Sequence, residues 1–458
     1  MILLLERAAT DAPDHPAVVT SETTMTYAEL RTAARRTAAG LVAEGISRFA
    51  IVEPDAARIL QLLAGAALVG AEPCQYQADM ALPEFAAQAS TLGHDVVVTR
   101  RTDLIGDFRV IDPDKLEASE PDDRPAPADR QPLLIRTTGT TGDPKAARHD
   151  WSILGRTVAK VSPRRGQRWL LAYGPHQFAG LQVLQHVVAS HATLVAPFPR
   201  QPRDGVEALL TSGVTCVSAT PTYWRFLLAE ARAREVSLPD LDQVTLGGEA
   251  TPADLLADLH KAFPRARISQ VYASTEFGSI ASVRDGRPGL DAASLFSEAN
   301  PDANLRVHDG ELWVRANAGM LSYADSGSGD PETDGEWNRT GDLVEIIDGR
   351  VLFRGRESEV INVGGVKVHP MPVEERINAL ESVAAARVFG RSNRLTGAIV
   401  AAEVVPAGDG QHADLDGLRE QIRDAVADLP RAWQPRSVTF VDAIETRGDK
   451  TVRRMEEA

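Results

Sequence analysis

The first 110 residues alternate between segments with helical periodicity and short apolar runs typical of buried strands. Residues 26–43 carry their apolar side chains on one helical face, and Thr26 with Glu29 has the spacing of a capping box. Residues 58–69 are apolar on nearly all sides, which predicts a buried helix, and residues 95–99 predict a buried strand. Strands that alternate with helices predict an α/β fold in which helices cover the sheets.

The pattern changes after about residue 304, where Asp-Gly pairs at 309–310 and 348–349 each separate two alternating runs. Asp-Gly in that setting is a strong hairpin signal, so we predict a small antiparallel β region. If 348–349 is a two-residue turn, residue 342 lies across from residue 355. The last hundred or so residues again alternate strands with a helix, which predicts a small α+β domain. We therefore expect an N-terminal domain over 1–356, with layered α/β subdomains, and a C-terminal domain over 357–458.

Composition excludes several classes of protein. The 458 residues carry 49 Lys and Arg against 64 Asp and Glu, a net charge of −15, which argues against a nucleic-acid groove. Two cysteines, Cys74 and Cys216, exclude a disulfide scaffold, and we expect both to be buried free thiols in a reducing compartment. No run reaches about 18 apolar residues, so we expect no membrane span and a cytoplasmic location.

The segment 137–145, Thr-Thr-Gly-Thr-Thr-Gly-Asp-Pro-Lys, follows a short apolar run. Its hydroxyls, backbone N–H groups and lysine suit a loop that surrounds phosphate oxygens. It lacks the Gly-Lys-Ser/Thr ending of a Walker A loop, which disfavours a P-loop NTPase that drives motion. The alternative is a surface loop rich in Thr and Gly.

This loop resembles the signature loop of the adenylate-forming superfamily, which comprises acyl- and aryl-CoA synthetases, peptide-synthetase adenylation domains and luciferases. Other segments resemble the family's remaining motifs in the family's order. They are Gly-Gly-Glu at 247–249, Tyr-Ala-Ser-Thr-Glu at 272–276, Thr-Gly-Asp at 340–342, Phe-Arg-Gly-Arg at 353–356, Val-Gly-Gly at 363–365 and the lysine segment 446–454. Agreement in order across most of the chain makes coincidence a poor explanation.

The resemblance implies an ATP site. Its residues would be Thr137, Thr138, Gly139, Thr140, Thr141, Gly142, Lys145, Gly247, Gly248, Glu249, Tyr272, Ala273, Asp342 and Arg356. Glu276 would hold Mg²⁺, Thr275 would bond the α-phosphate, and Tyr272 would stack on adenine. Asp342 would bind the ribose hydroxyls with Arg356 beside the ribose and phosphate, and a structural ion pair between these two residues is the alternative.

The resemblance also implies a C-terminal domain that moves between two poses. One pose would present Lys450 to the carboxylate and the α-phosphate, and the other would present Gly364 and Gly365 for attack by a thiol. The hinge falls at Ser358, where relatives carry Asp or Lys. Asp449 replaces the Gly that usually precedes the lysine. A lysine so close to the end of a chain is otherwise expected to be solvated.

The substrate pocket is the part that the sequence defines least. The segment 174–180 resembles the place where relatives carry a gating histidine or aromatic residue, and either His176 or Gln177 fits it. Further pocket residues are Phe178, Gly180 and Tyr223, with a place in the core as the alternative for Phe178 and Tyr223. Ala273 replaces the usual Gly, and its methyl group would narrow the pocket.

The motifs together predict an ATP-dependent carboxylic acid–thiol ligase. It would form an acyl- or aryl-adenylate with release of pyrophosphate and then a CoA thioester. The cofactors implied are ATP, Mg²⁺ and CoA, and the partner is a small carboxylic acid. One alternative acceptor is the phosphopantetheine of an acyl carrier protein. The departures at Ser358 and Asp449 keep open an adenylate-only or non-catalytic member of the family.

Overall fold

The computed structural model of the chain describes residues 1–137, 145–199, 201–315, 319–324, 332–407, 414–444, 446–447, 450–451 and 453. Its α-helices are α1 (Ile2–Asp11), α2 (Tyr27–Ala43), α3 (Ala56–Val69), α4 (Leu82–Leu92), α5 (Pro113–Glu117), α6 (Trp151–Leu154), α7 (Phe178–Ala189), α8 (Pro202–Thr211), α9 (Pro221–Ala233), α10 (Ala253–Ala262), α11 (Pro370–Asn378) and α12 (Leu415–Ala425). Short 3₁₀ helices occupy Gly155–Val158, Ala292–Ser294 and Glu357–Glu359.

The strands fall into groups along the chain. The first are β1 (Pro16–Val19), β2 (Thr24–Thr26), β3 (Arg48–Ile51), β4 (Glu72–Gln75), β5 (Val96–Val98), β6 (Arg109–Ile111), β7 (Pro132–Arg136), β8 (Ala146–Asp150), β9 (Arg168–Leu170), β10 (Thr193–Val195), β11 (Cys216–Ala219), β12 (Gln243–Gly247), β13 (Arg267–Ser274) and β14 (Gly278–Val283). Next come β15 (Leu290–Asp291), β16 (Leu305–His308), β17 (Glu311–Val314), β18 (Ser322–Tyr323), β19 (Thr333–Asp334), β20 (Trp337–Ile347) and β21 (Arg350–Arg356). The last are β22 (Ile361–Val363), β23 (Val366–Val368), β24 (Val383–Asn393), β25 (Gly397–Pro406), β26 (Ser437–Phe440), β27 (Thr446–Arg447) and β28 (Lys450–Thr451).

Two large sheets form the first part of the molecule, as the alternating pattern predicts. The eight-stranded sheet has the order β14-β13-β12-β11-β9-β10-β1-β2, and the seven-stranded sheet has the order β18-β8-β7-β4-β3-β5-β6. Both are parallel in their interior and antiparallel at an edge. One apolar core joins them through helices α1, α2, α3 and α7, so this helical layer lies between the two sheets.

Local signals predicted the helices of this layer well. Thr26 caps α2, and the reciprocal hydrogen bonds of a capping box with Glu29 are both present. Helix α3 begins after Asp55, whose side chain accepts from two backbone N–H groups, and it is buried along nearly its whole length. Cys74 and Cys216 are buried free thiols, as expected, and burial raises the pKa of each to about 12.

The six-stranded sheet contains both predicted hairpins, and its order is β15-β21-β20-β17-β16 with β19 beside β20. At the second hairpin Ile347 pairs with Arg350, as predicted. The register then shifts by one residue between Leu343 and Val344, so residue 342 lies opposite Arg356 and not opposite residue 355. The predicted register was wrong by one position at this end because β21 bulges at Arg354, the residue that the pairing skips.

The chain from Ile361 onwards forms a separate five-stranded sheet, in the order β23-β22-β25-β24 with β26 beside β25. Helices α11 and α12 cover it around their own apolar core. Arg356 ends the last strand of the six-stranded sheet, and the 3₁₀ turn Glu357–Glu359 connects the two parts. The predicted domain boundary at residue 356 stays a prediction. Among the described residues, no helix is long and apolar enough to cross a membrane.

Candidate active site

A cavity of about 750 Å³ lies where the eight-stranded sheet, the six-stranded sheet and the C-terminal part meet. The sheets contribute the carboxyl ends of β12 and β13 and the open end of the β20–β21 hairpin, and the C-terminal part contributes residues of α11 and β24. Ligands commonly bind beyond the carboxyl ends of parallel strands. The volume of the cavity lies within the range of small-molecule sites.

The Thr- and Gly-rich loop connects two neighbouring strands of the seven-stranded sheet. Its ends are joined by a hydrogen bond of 2.7 Å from the Thr137 N–H to the Lys145 carbonyl, and both residues line the cavity. The Lys145 ammonium lies 4.9 Å from the centre of the Tyr323 ring. The predicted phosphate residues Thr138, Gly139, Thr140, Thr141 and Gly142 lie outside the described residues.

The segment Gly247–Glu249 follows from the end of β12 into the cavity wall. Gly248 has φ +85°, a backbone conformation that favours glycine. The Gly247 carbonyl accepts a hydrogen bond of 3.0 Å from the Tyr173 hydroxyl. Glu249 accepts a hydrogen bond of 3.0 Å from the Thr222 N–H, in the first turn of α9. Its carboxylate therefore binds the N-terminus of that helix, and the residue also lines the cavity.

Strand β13 carries Tyr272 and Ala273 into the cavity. The Tyr272 ring packs against Phe353 with 5.1 Å between ring centres, and its hydroxyl donates a hydrogen bond of 2.6 Å to Asp342. Burial, and then the negative charge of Asp342, raise the pKa of Tyr272 well above its ordinary value. The hydroxyl therefore stays protonated and keeps donating.

The turn after β13 presents Thr275 and Glu276, and other segments hold it in place. The Thr275 carbonyl accepts a hydrogen bond of 2.8 Å from Nε2 of His149, a buried residue of β8. The Glu276 carbonyl accepts one of 2.8 Å from the Met320 N–H. The Glu276 carboxylate accepts one of 3.3 Å from the Tyr323 hydroxyl. The side chain of Glu276 therefore lies beside the same tyrosine ring that contacts Lys145.

Asp342 and Arg356 lie opposite each other at the open end of the β20–β21 hairpin, with 3.1 Å between Oδ1 and Nε. The Asp342 charge is the largest cause of the raised pKa of Arg356. The residues of β20 that precede Asp342 are held by Glu311, a buried residue of β17 that accepts hydrogen bonds of 2.7 Å from the Gly341 N–H and from Arg339 Nε. Gly341 has φ +74°, which suits glycine at this bend.

These groups fit a nucleotide with its phosphates. An aromatic ring, an aspartate and an arginine lie together in the cavity wall, and Lys145 lines the same cavity beside Tyr323. Among the described residues, no three His, Cys, Asp or Glu side chains form a metal-binding group. Mg²⁺ in nucleotide sites is held by phosphates with one or two carboxylates, and Glu276 is a carboxylate of that kind at the cavity wall.

The residues predicted for the acid pocket do not line this cavity in the described structure. His176 lies in the loop before α7, Gln177 is the N-cap of α7, and Phe178 begins the helix with its ring 5.8 Å from that of His149. Gly180 lies against Gly174, so closely that an added Cβ would be 2.2 Å from the Gly174 carbonyl oxygen. The loop 174–180 is therefore folded tightly on itself.

Tyr223 is also away from the cavity lining. It belongs to the apolar core between α8, α9 and the eight-stranded sheet, and its hydroxyl is directed towards Gly205 of α8. Ala273, in contrast, lines the cavity. The role of each of these residues in holding an acid stays a prediction.

The three features predicted for the C-terminal part occupy different places. Ser358 is exposed in the 3₁₀ turn and lines the cavity. Gly364 and Gly365, with φ +58° and +89°, form the turn between β22 and β23. Lys450 pairs with Arg447 in the β27–β28 ladder. Ile444 and Arg453, which precede and follow Lys450 in sequence, both line the cavity.

Sequence reasoning missed residues that support the groups at the cavity. His149 and Tyr323 hold the Thr275–Glu276 turn, and Glu311 holds the bend at Gly341. None of the three belongs to a motif found in the sequence. Arg453 was missed although it lies within the lysine segment. His149 gave no local signal, because charged residues flank it on both sides in β8, Ala-Ala-Arg-His-Asp.

Comparison with known families gives two matches that together span most of the chain. Residues 5–324 match the model of the AMP-binding enzyme family, and residues 372–450 match the model of the AMP-binding enzyme C-terminal domain. These matches confirm the resemblance drawn from the motifs.

Three proteins illustrate the similarity. The long-chain-fatty-acid–CoA ligase FadD13 of Mycobacterium tuberculosis is 26% identical over 484 residues, covering 96% of this chain and 94% of the relative. The medium/long-chain-fatty-acid–[acyl-carrier-protein] ligase FadD10 of the same species is 26% identical over 472 residues, covering 93% and 82%. The o-succinylbenzoate CoA synthetase of Bacillus subtilis, solved with an acyl-adenylate, superposes with a TM-score of 0.79 at 22% identity and covers 99% of this chain and 97% of its own.

Proposed function

The chain belongs to the AMP-binding enzyme family, and we propose that it joins a small carboxylic acid to a thiol in two steps at the cavity. In the first step a carboxylate oxygen attacks the α-phosphorus of ATP, and pyrophosphate leaves. In the second step a thiol sulfur attacks the carbonyl carbon of the acyl-adenylate, and AMP leaves with loss of the thiol proton. Coenzyme A is the acceptor that we propose.

One observation carries this proposal above the others. Three parts of the sequence, far apart from one another, bring Lys145, Tyr272 with Glu276, and the Asp342–Arg356 pair to one cavity. The first step brings an anionic carboxylate to an anionic phosphate, so it needs positive charge and oriented donors in a site that already has its geometry. The side chains at this cavity are of the types that such a step requires.

Each group has a proposed part in the first step. Tyr272 and the Asp342–Arg356 pair hold the nucleoside, and Lys145 with its loop holds the phosphates. Bound Mg²⁺, held at Glu276, would neutralise phosphate charge. Lys450 meets the carboxylate and the α-phosphate oxygens. In the second step the turn at Gly364 and Gly365 lies beside the arriving thiol, because glycines let an extended arm pass close to the backbone.

A second acceptor is supported by a relative of this chain. The FadD10 relative is named as a ligase that acts on an acyl carrier protein. A carrier-protein phosphopantetheine presents the same thiol as coenzyme A, so the chemistry at the cavity would be unchanged.

The test is acid-dependent exchange of labelled pyrophosphate into ATP over a panel of aryl and short-chain acids. We expect exchange with at least one acid. The smallest acids should give the fastest exchange, because the Ala273 methyl group would narrow the acid pocket. Adding CoA or a phosphopantetheinylated carrier protein then identifies the acceptor through the thioester formed. Absence of exchange with every acid would contradict the proposal and favour a non-catalytic member of the family.

A further inference from the structure

Arg453 makes a bidentate ion pair with Glu374 in the wall of the cavity. Its Nε lies 2.8 Å from Oε1, and its Nη2 lies 2.7 Å from Oε2. The two side chains are only 15% and 7% exposed. Glu374 also accepts a hydrogen bond of 2.8 Å from the Val388 N–H in β24. One carboxylate of α11 therefore holds both a strand of the C-terminal sheet and the end segment of the chain.

A second carboxylate connects Arg453 to the turn between the two parts of the molecule. Glu359, in the 3₁₀ turn that contains Ser358, has Oε1 3.9 Å from Nη1 of Arg453. Its other oxygen accepts a hydrogen bond of 3.3 Å from the backbone N–H of Arg356. Arg356 in turn pairs with Asp342. A continuous set of polar contacts thus runs from the end segment to the groups proposed to hold the nucleoside.

The charges around Arg453 come from both sides of the cavity. Burial alone would lower its pKa, but Glu374, then Glu359, and more weakly Glu249 raise it above the ordinary arginine value. Glu249 belongs to the loop after β12, whereas Glu374 belongs to α11. The guanidinium therefore contacts Glu374 and Glu359 and lines the same cavity as Glu249.

We infer that Arg453 is a positioning residue for Lys450, an inference that rests on the proposed function. The two residues are three positions apart in the same segment. Anchoring Arg453 to Glu374 restricts where the backbone of Lys450 can lie, because the segment between them is short. Arg453 thereby supports the first step, in which Lys450 acts, and contributes nothing to the attack of the thiol.

Arg453→Lys tests whether the geometry of the ion pair matters apart from its charge. It keeps the positive charge but cannot form two parallel hydrogen bonds with one carboxylate. Glu374→Gln is the reciprocal change, since the amide oxygen still accepts from Val388 while the charge is lost. Arg376→Lys is the matched control, because Arg376 lies on the same helix and pairs through both terminal nitrogens with Asp428, at 3.1 and 3.0 Å, but is half exposed.

The experiment measures both steps and the anchoring in the full chain. Adenylate formation is measured by pyrophosphate exchange, thiol attack is measured with supplied acyl-adenylate, and anchoring is measured as the rate of tryptic cleavage at Arg447 and Lys450 under native conditions. For Arg453→Lys and Glu374→Gln we expect at least a tenfold fall in the rate constant of adenylation, with the KM for ATP and the thiol step within twofold. In both variants, tryptic cleavage at Arg447 and Lys450 should become at least tenfold faster. Arg376→Lys should match the unsubstituted chain in every measurement.

Equal losses in both steps would overturn the inference, because a merely structural ion pair affects both. If tryptic cleavage at Arg447 and Lys450 were as slow in Arg453→Lys as in the unsubstituted chain, the inference would be overturned and the proposed function would stand. Failure of the unsubstituted chain to exchange pyrophosphate with any acid would instead contradict the proposed function and, with it, the role of Arg453.

Discussion

The hydroxyl of Tyr272 donates a hydrogen bond of 2.6 Å to the carboxylate of Asp342, which is itself paired with Arg356 at 3.1 Å. Tyr272 belongs to the eight-stranded sheet, and Asp342 belongs to the six-stranded sheet. The contact therefore fixes the edge of one sheet to the hairpin of another. It also occupies one carboxylate oxygen with a donor and the other with a guanidinium, so Asp342 is oriented before any ligand arrives.

Removing that hydroxyl should weaken binding of the nucleotide more than it slows chemistry. For Tyr272→Phe we expect the KM for ATP to rise about tenfold, the equivalent of ~1.4 kcal/mol for one hydrogen bond to a charged acceptor. The ring contact with Phe353 remains, so kcat should change by less than about twofold. Pyrophosphate exchange at a series of ATP concentrations gives both constants.

Tyr76→Phe is the matched control for this prediction. It removes a buried tyrosine hydroxyl that lies 2.8 Å from Nδ1 of His94, in the core beyond the seven-stranded sheet. We expect a lower unfolding temperature and an unchanged KM for ATP. A similar rise of the KM in both variants would show that the Tyr272 effect is one of general stability.

The features that the sequence predicted correctly depend on neighbours in the chain. The capping box of α2 needs only Thr26 and Glu29, and the hairpin at 348–349 needs only its turn residues and the flanking runs. The one-residue shift beside Asp342 was not predictable in this way. It comes from a bulge at Arg354 in β21, several residues away from the turn on which the predicted register was based.

The same limit applies to the supports of the candidate site. His149 reaches the Thr275 carbonyl across 126 positions, and Tyr323 reaches Glu276 across 47. The motifs predict which residues would contact a ligand, whereas these supporting contacts depend on how the sheets pack against one another. The close packing of Gly180 on Gly174 likewise has no signal in the sequence pattern, and the role of the loop 174–180 in holding an acid stays a prediction.

Gly180 provides a test of that packing. A Cβ at this position would lie 2.2 Å from the Gly174 carbonyl oxygen, so Gly180→Ala must displace the loop that precedes α7. We expect destabilisation by about 1–3 kcal/mol and, if the loop borders the acid as proposed, a raised KM for the acid. Gly166→Ala is the control, because nothing lies within 4 Å of its added Cβ. An unfolding temperature unchanged in both variants would contradict this description of the loop.

Lys450 should affect one of the two proposed steps. Losing one oriented charge at the reacting atoms typically costs about 10²–10³ in rate, so Lys450→Ala should reduce adenylation at least that far. Attack of a thiol on supplied acyl-adenylate should remain within about twofold of the unsubstituted rate. Lys367→Ala, which removes an exposed lysine from β23, should leave both steps unchanged. Equal losses in the two steps would argue against the proposed role of Lys450.

Buried histidines predict how stability depends on pH. Burial lowers the pKa of His149 to about 4, and it does the same for His94. An unfolded histidine takes up its proton near pH 6.5, so between about pH 6.5 and 4 the unfolded chain binds protons that the folded chain does not. The free energy of unfolding therefore falls as the pH falls through this window, by about 1.4 kcal/mol per pH unit for each such histidine.

His149→Gln isolates one of these contributions. The glutamine amide can still donate to the Thr275 carbonyl, but it does not titrate. Urea unfolding at pH 7.0, 6.0, 5.5 and 5.0 gives the free energy of unfolding as a function of pH. For this variant its slope against pH should be smaller by up to about 1.4 kcal/mol per pH unit, the contribution of one proton. His308→Gln changes a histidine whose side chain is 62% exposed, so its slope should match that of the unsubstituted chain. A slope unchanged by His149→Gln would mean that His149 does not stay neutral in the folded protein.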